Sequence, residues 1–289
     1  MDEPSKTRDF SFILRQTKVL KKAVEALSDP KFNPEEQAMI QVGHYGFEIT
    51  VGVLGPIWKK KIIGYFWLKA TDLEEFQCNN LVEKMISLKF VDLVLKDSVE
   101  YYSDYIPVSI FSRSGSEKLS FQWGESVDDF GLGVPLSTDL HNVKKEQMKF
   151  PNEVNYVSEV VIPIHILTKF LRRQPKHRPK EAVATVKMPT VSIKLNDSIV
   201  LSTEGDEKQH EAWFDWPYWE ALEKACELAD KCSMCLVTKP YKRVMFRFQI
   251  GEAGDLVFLI EARFFSDDTL NHPLLGLFRA LKTRRVFTG

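Results

Sequence analysis

"DFSFILRQTKVLKKAVEALSD", residues 9–29, changes its period halfway along. Phe10, Phe12 and Leu14 fall on one side of an alternating stretch, with Ser11 and Arg15 on the other, as in a strand. Val19, Leu20, Ala23, Val24 and Leu27 then repeat at helical spacing. The face left over carries Lys18, Lys21, Lys22 and Glu25. A strand therefore feeds straight into a helix with a lysine-rich outer face.

The same arrangement returns in the second half. "NYVSEVVIP" (155–163) is strand-like, and "PIHILTKFLRRQ" (163–174) is helical, with Pro163 suited to a first helical turn. Ile166, Leu167, Phe170 and Leu171 form its apolar stripe, and Lys169, Arg172 and Arg173 lie off it. Between the two, "AMIQV", "GFEITVGVL", "KIIGYFWLKA" and "KMISLKF" read as strands. "VDLVLKDSVEYY" (91–102) reads as a helix on Val91, Leu95, Val99 and Tyr102. "YIPVSIFSRSGSEKLSFQW" gives two strands about a turn. From Glu125 to Asn155 the pattern dissolves into Gly, Pro, Asp, Asn and Ser, which suggests a long connector. Beyond the second basic helix, "AVATVKM", "VSIKLN" and "SIVLSTEG" are strand-like. A helix from about Pro217 to Lys231 turns Leu222, Ala225, Cys226 and Ala229 inward. "RVMFRFQIG" and "LVFLIEARFF" then meet at a turn. Each half is thus strand, helix, strands, helix, strands. Such an order predicts an α+β fold, with antiparallel strands and two helices on one face in each of two similar domains.

The bulk numbers allow this. A chain of 289 residues accommodates two ordinary domains, and 44% hydrophobic with 27% charged residues is globular composition. A net charge of -1 excludes a protein that is basic all over, but permits a local basic surface. The N-terminus is polar, with no signal-peptide apolar region. No apolar run approaches the ~20 residues of a membrane span. The four cysteines are Cys78, Cys226, Cys232 and Cys235. Cys232 and Cys235 form a C-x2-C pair, but no second pair or suitable His follows to complete a zinc site. Buried or half-buried thiols near a helix end are the simpler expectation.

Three stretches resemble the sliding-clamp family, typified by proliferating cell nuclear antigen. "ILRQTKVLKKAVEALSD" (13–29) is similar to the opening strand and helix of a clamp. "EQMKFPNEVNYVSEVVIPIHILTKFLRRQ" (146–174) resembles the end of the interdomain connector and the start of a clamp's second domain. "VMFRFQIGEAGDLVFLIEARFFSDD" (244–268) resembles the terminal hairpin with its acidic exit. The resemblance implies a DNA-clamp fold: a leader at 1–8, domain one at 9–135, a connector at 136–153, domain two at 154–268 and a tail at 269–289. The near-zero charge, leader and tail set it apart from the replicative homotrimer. "MISLKFVDLVLKDSVEYY" resembles the style of the nine-one-one checkpoint clamp, a heterotrimer loaded at DNA damage. The leader and "GFEITV" lean towards its radiation-sensitive-one subunit.

In a clamp ring the helices face a central hole around duplex DNA. The resemblance thus implies that Lys18, Lys21, Lys22, Lys169, Arg172 and Arg173 face DNA phosphates, contacts without sequence information that a sliding ring needs. The alternative is a solvated helix face. The other two helices are not basic: one carries Asp92, Asp97 and Glu100, the other Glu220, Glu223 and Glu227. Leu136, Leu140, Val143, Met148 and Phe150 are candidates for a partner groove beside the connector, or for anchoring that loop to its own domain. The tail carries Leu274, Leu275, Leu277, Phe278 and Leu281 before Lys282, Arg284 and Arg285. It would bind a partner or nucleic acid, pack on the body, or fray. The implied partners are double-stranded DNA, paralogous clamp subunits, a clamp loader, and checkpoint and repair proteins, in the nucleus.

The search for chemistry is thin. "GLGVP" lacks the setting of a dinucleotide loop, and no P-loop, HExxH or GxSxG occurs. Asp128–Asp129 and Asp267–Asp268 are adjacent acids whose side chains diverge, the basis of a rival reading as a metal-dependent nucleic-acid enzyme. His44, His141, His165, His177, His210 and His272 are scattered singly. No catalysis, metal or cofactor is expected.

Overall fold

The computed structural model describes residues 8–15, 17–30, 33, 36–52, 62–101, 107–123, 132–142, 155–172, 181–187, 190–195, 198–201, 209–215, 219–239, 243–251 and 254–267. Strand β1 (Arg8–Leu14) places Phe10, Phe12 and Leu14 in the core, and helix α1 (Thr17–Leu27) buries Val19, Leu20, Ala23, Val24 and Leu27. Both follow the period change in the sequence. Ser11 and Ile13, on the other side of β1, are buried as well.

The first repeat continues with β2 (Gln37–Gly43), β3 (Gly46–Val51), β4 (Ile62–Lys69), β5 (Glu74–Cys78) and β6 (Val82–Ser87). Helix α2 (Leu88–Tyr101) follows directly. It starts earlier than the sequence suggested, because Phe90 N–H donates to the Ser87 hydroxyl at 3.3 Å and caps the helix there. "SLKF" therefore leaves the strand. Then come β7 (Val108–Arg113), β8 (Lys118–Trp123), β9 (Leu132–Asp139) and β10 (His141–Asn142). The stretch read as connector is thus strand in its middle: β9 pairs with β8, and β10 with β6.

The second repeat comprises β11 (Asn155–Pro163), α3 (Ile164–Arg172), β12 (Glu181–Lys187), β13 (Thr190–Leu195), β14 (Ser198–Leu201), β15 (Gln209–Asp215), α4 (Trp219–Cys226), β16 (Lys231–Lys239), β17 (Arg243–Ile250) and β18 (Gly254–Asp267). Pro163 closes β11 instead of opening α3. Helix α4 is shorter than expected. Its exit tightens through Leu228 N–H to the Ala225 carbonyl, 3.1 Å, and Lys231 already belongs to β16.

The duplication is explicit in the topology. One sheet runs β1-β7-β8-β9 in the first repeat, with β5 added beside β1, and β11-β16-β17-β18 in the second. The other runs β4-β3-β2-β6-β10 and β14-β13-β12-β15-β18. In the second repeat β18 spans both sheets: Gly254–Ile260 pairs with β4, while Ala262–Asp267 pairs with β15. The first repeat breaks the same path into β9 and β10. A junction then joins the repeats, β4 against β18 in antiparallel register from Leu68↔Gly254 to Ile62↔Ile260. The helices form one layer in the order α2, α1, α4, α3. One hydrophobic core, including Phe12, Leu20, Phe66, Leu222, Phe246 and Phe258, runs through both repeats.

Candidate nucleic-acid interface

The lysine face of α1 lies in this helix layer. Lys18 is exposed; Lys21 and Lys22 are half-buried. Lys22 Nζ stands 2.9 Å from the Glu227 carboxylate of α4's exit and 3.4 Å from Glu25. The hydrogen bond to Glu227 raises the Lys22 pKa above its ordinary value, against the opposing effect of burial. Lys224 of α4 donates to the Glu25 carbonyl at 3.2 Å. On the far side of α4, Arg172 Nε meets Glu223 at 3.3 Å. Two of the cations expected to face DNA, Lys22 and Arg172, are therefore committed to acids of α4 and its exit. Lys18, Lys21 and Lys169 form no ion pair among the described residues. Arg173 lies outside the described residues.

Counting from their first residues aligns α1 with α3. Leu20 matches Leu167 and Val24 matches Leu171, all buried. In this register Lys18, Lys21 and Lys22 match His165, Thr168 and Lys169. The basic pattern that recurs in sequence is thus displaced by one turn. Lys169 and Arg172 sit in α3's last turn, where cations also suit the helix dipole.

Of the groove candidates, Leu136 on β9 is 43% exposed. Leu140 is buried in the main core, and its N–H donates to the Glu117 carbonyl at 2.8 Å, so it anchors its own domain and lines no groove. Val143, Met148 and Phe150 lie outside the described residues, as do Asp128, Asp129, Asp268 and the tail.

A feature missed in the sequence stands on the sheet face away from the main core. Ile63 of β4, Cys235 of β16, Met245 of β17, and Val257 and Leu259 of β18 form a second apolar cluster, with Tyr65 packed against it. Arg247 and Asp255 pair beside it at 2.8 Å. Burial, with Glu48 nearby, raises the Tyr65 pKa far above its ordinary value. The signal was the pair of unbroken apolar runs "VMF" (244–246) and "LVFLI" (256–260), since strands covered on both faces lose alternation. Among the described residues, no group of three His, Cys, Asp or Glu side chains could hold a metal ion.

Duplicated two-sheet repeats, a shared junction strand and a four-helix layer define the sliding-clamp fold. The crystal structure of the proliferating cellular nuclear antigen of Entamoeba histolytica is similar, with a TM-score of 0.69 at 14% identity, covering 89% of this chain and 100% of that one. No protein-family model matches the sequence, nor does any curated protein sequence.

Proposed function

We propose that this chain is a non-enzymatic subunit of a DNA-encircling clamp, which assembles with paralogous subunits in the nucleus and recruits checkpoint and repair factors to damaged DNA. One observation carries the reading. The internal junction joins unlike ends of two equivalent repeats, β4 of the first to β18 of the second. Their counterparts, β14 and β9, end their sheets unpaired among the described residues. Such a heterologous junction, repeated between chains, closes a ring when the rotation allows. Pro135 in β9 fits an edge strand, because proline cannot donate to a ladder. Lys18 and Lys21 supply cations on the helix layer for phosphate.

The deciding experiment is the mass of the full chain by light scattering, alone and co-expressed with clamp paralogues. A 1:1:1 complex that stays on closed circular DNA and slides off once the circle is cut supports the reading. A trimer of the chain alone points instead to a replicative-type homotrimer. A chain that joins nothing removes the ring, and divalent-ion-dependent DNA cleavage would replace it with the enzyme reading.

A further inference from the structure

The two repeats present the same junction twice, once satisfied inside the chain and once open at its ends, and the two are not chemically alike. Inside, α1 of the first repeat packs on α4 of the second, and Lys22 meets Glu227 at 2.9 Å. Aligned from their first residues, α2 and α4 match Val91 with Leu222 and Leu95 with Cys226, all buried. Leu93 then takes the place of Lys224, and, counting one residue past α4 into its tightened exit, Lys96 takes the place of Glu227. On the other side, Lys169 takes the place of Lys22, and Arg172 that of Glu25.

A second copy docked as the repeats dock would bring α3 of one chain against α2 of the next. It would set Lys169 against Lys96 where the internal junction has lysine against glutamate. Arg172 stands where the internal junction has Glu25, but it is already paired with Glu223 of its own chain at 3.3 Å, so the unbalanced contact is the one between the two lysines. Asp92 pairs with Lys96 at 2.6 Å and only partly offsets this. The open flank of α2 also carries Leu93, 49% exposed, where the internal junction has a lysine reaching a backbone carbonyl. Like charges facing each other select against a partner.

We infer that Lys96 and Lys169 bar this chain from taking its own copy as ring neighbour, and that its neighbour across α3 is a different clamp-fold chain presenting a carboxylate opposite Lys169. The inference rests on the ring reading above. The full-length wild type, Lys169→Glu, Lys96→Glu and the double swap are compared by sedimentation equilibrium at low and high salt. Both lysines are exposed, and thermal melts confirm that the variants fold. Lys169→Glu leaves the Asp92 pair untouched, so it is the cleaner variant. Each single swap turns a repulsive contact into an ion pair. It is expected to tighten self-association about tenfold at low salt, with the gain fading as salt screens it. The double swap, carboxylate against carboxylate, falls back to wild-type weakness. A wild type that already forms its own stable trimer overturns the inference and leaves the ring standing. So does equal self-association, or none, across all four proteins. Failure of the ring reading shows separately, as a wild type that joins no clamp paralogue on co-expression.

Discussion

Cys232 and Cys235 stand three apart on β16, so their side chains leave the strand on opposite faces. Cys232 joins the main core and Cys235 the outer cluster. The C-x2-C spacing that suggests a chelate therefore cannot bring both sulfurs to one ion. Burial pushes Cys226 up to about 12, although Thr168 hydrogen-bonds it, and raises Cys232 well above its ordinary value. Burial also raises Cys78, but this thiol is only half-buried. Alkylation of the native protein followed by mass spectrometry is expected to label Cys78 first, with Cys226 and Cys232 reacting only after unfolding. Early labelling of Cys226 would contradict its packing between α3 and α4. The same burial links stability to pH. The fold keeps the Cys226 thiol neutral, so the unfolded chain loses that proton first as pH rises past 9.0. The stabilisation is whole below that value and shrinks between 9.0 and about 12, by up to ~1.4 kcal/mol per pH unit. The gap in urea midpoints between wild type and Cys226→Ala should narrow over that interval.

The β4–β18 junction depends on Gly254. A Cβ there would collide with the Trp67 carbonyl oxygen across the ladder. Gly254→Ala is expected to lower stability by about 1–3 kcal/mol and to split one unfolding transition into two as the repeats separate. A single unshifted transition in calorimetry would show that the junction tolerates displacement. Ser87 offers a milder test. Removing its hydroxyl leaves the Phe90 N–H uncapped, so Ser87→Ala should cost about 0.5–2 kcal/mol by chemical denaturation. Legibility varied by element in the same physical way. β1, α1, β4 and β17 were plain because period and apolar content agreed. β5, "EEFQC", and β9, with Gly133 and Pro135, were not, because both are edge strands with weak alternation. β15, "QHEAWFD", hid behind polar residues, and β16 hid because the preceding helical pattern runs into its first residue, Lys231. The basic face of α1 was legible. Its pairing with Glu227, some 200 positions away in sequence, was not, because only tertiary packing creates it.

At the scale of the molecule, the duplication decides which cations of the helix layer are drawn into ion pairs. Two repeats bring α1 and α4 into one layer, and their contact consumes Lys22; α3 and α4 consume Arg172. A uniformly basic layer would attract phosphate but repel itself, and the acids of α4 hold the layer together at the expense of that attraction. The six cations expected from sequence should therefore separate into two groups. Lys18→Glu with Lys21→Glu is expected to leave the melting temperature nearly unchanged. It should weaken duplex association, with the salt slope reduced by about 0.9 for each phosphate no longer neutralised. Lys22→Glu is expected to behave differently, because it sets a third carboxylate beside Glu25 and Glu227. Stability should fall by up to ~1 kcal/mol, recovered when Glu227→Lys is added to restore the pair with reversed sign. Fluorescence anisotropy across a salt series, with melts of the same variants, separates the two behaviours. If Lys18→Glu with Lys21→Glu leaves affinity and slope unchanged, α1 does not face DNA. If Lys22→Glu alters only DNA association, with stability intact, the Lys22–Glu227 pair does not hold the layer, and Lys22 returns to the phosphate-facing group.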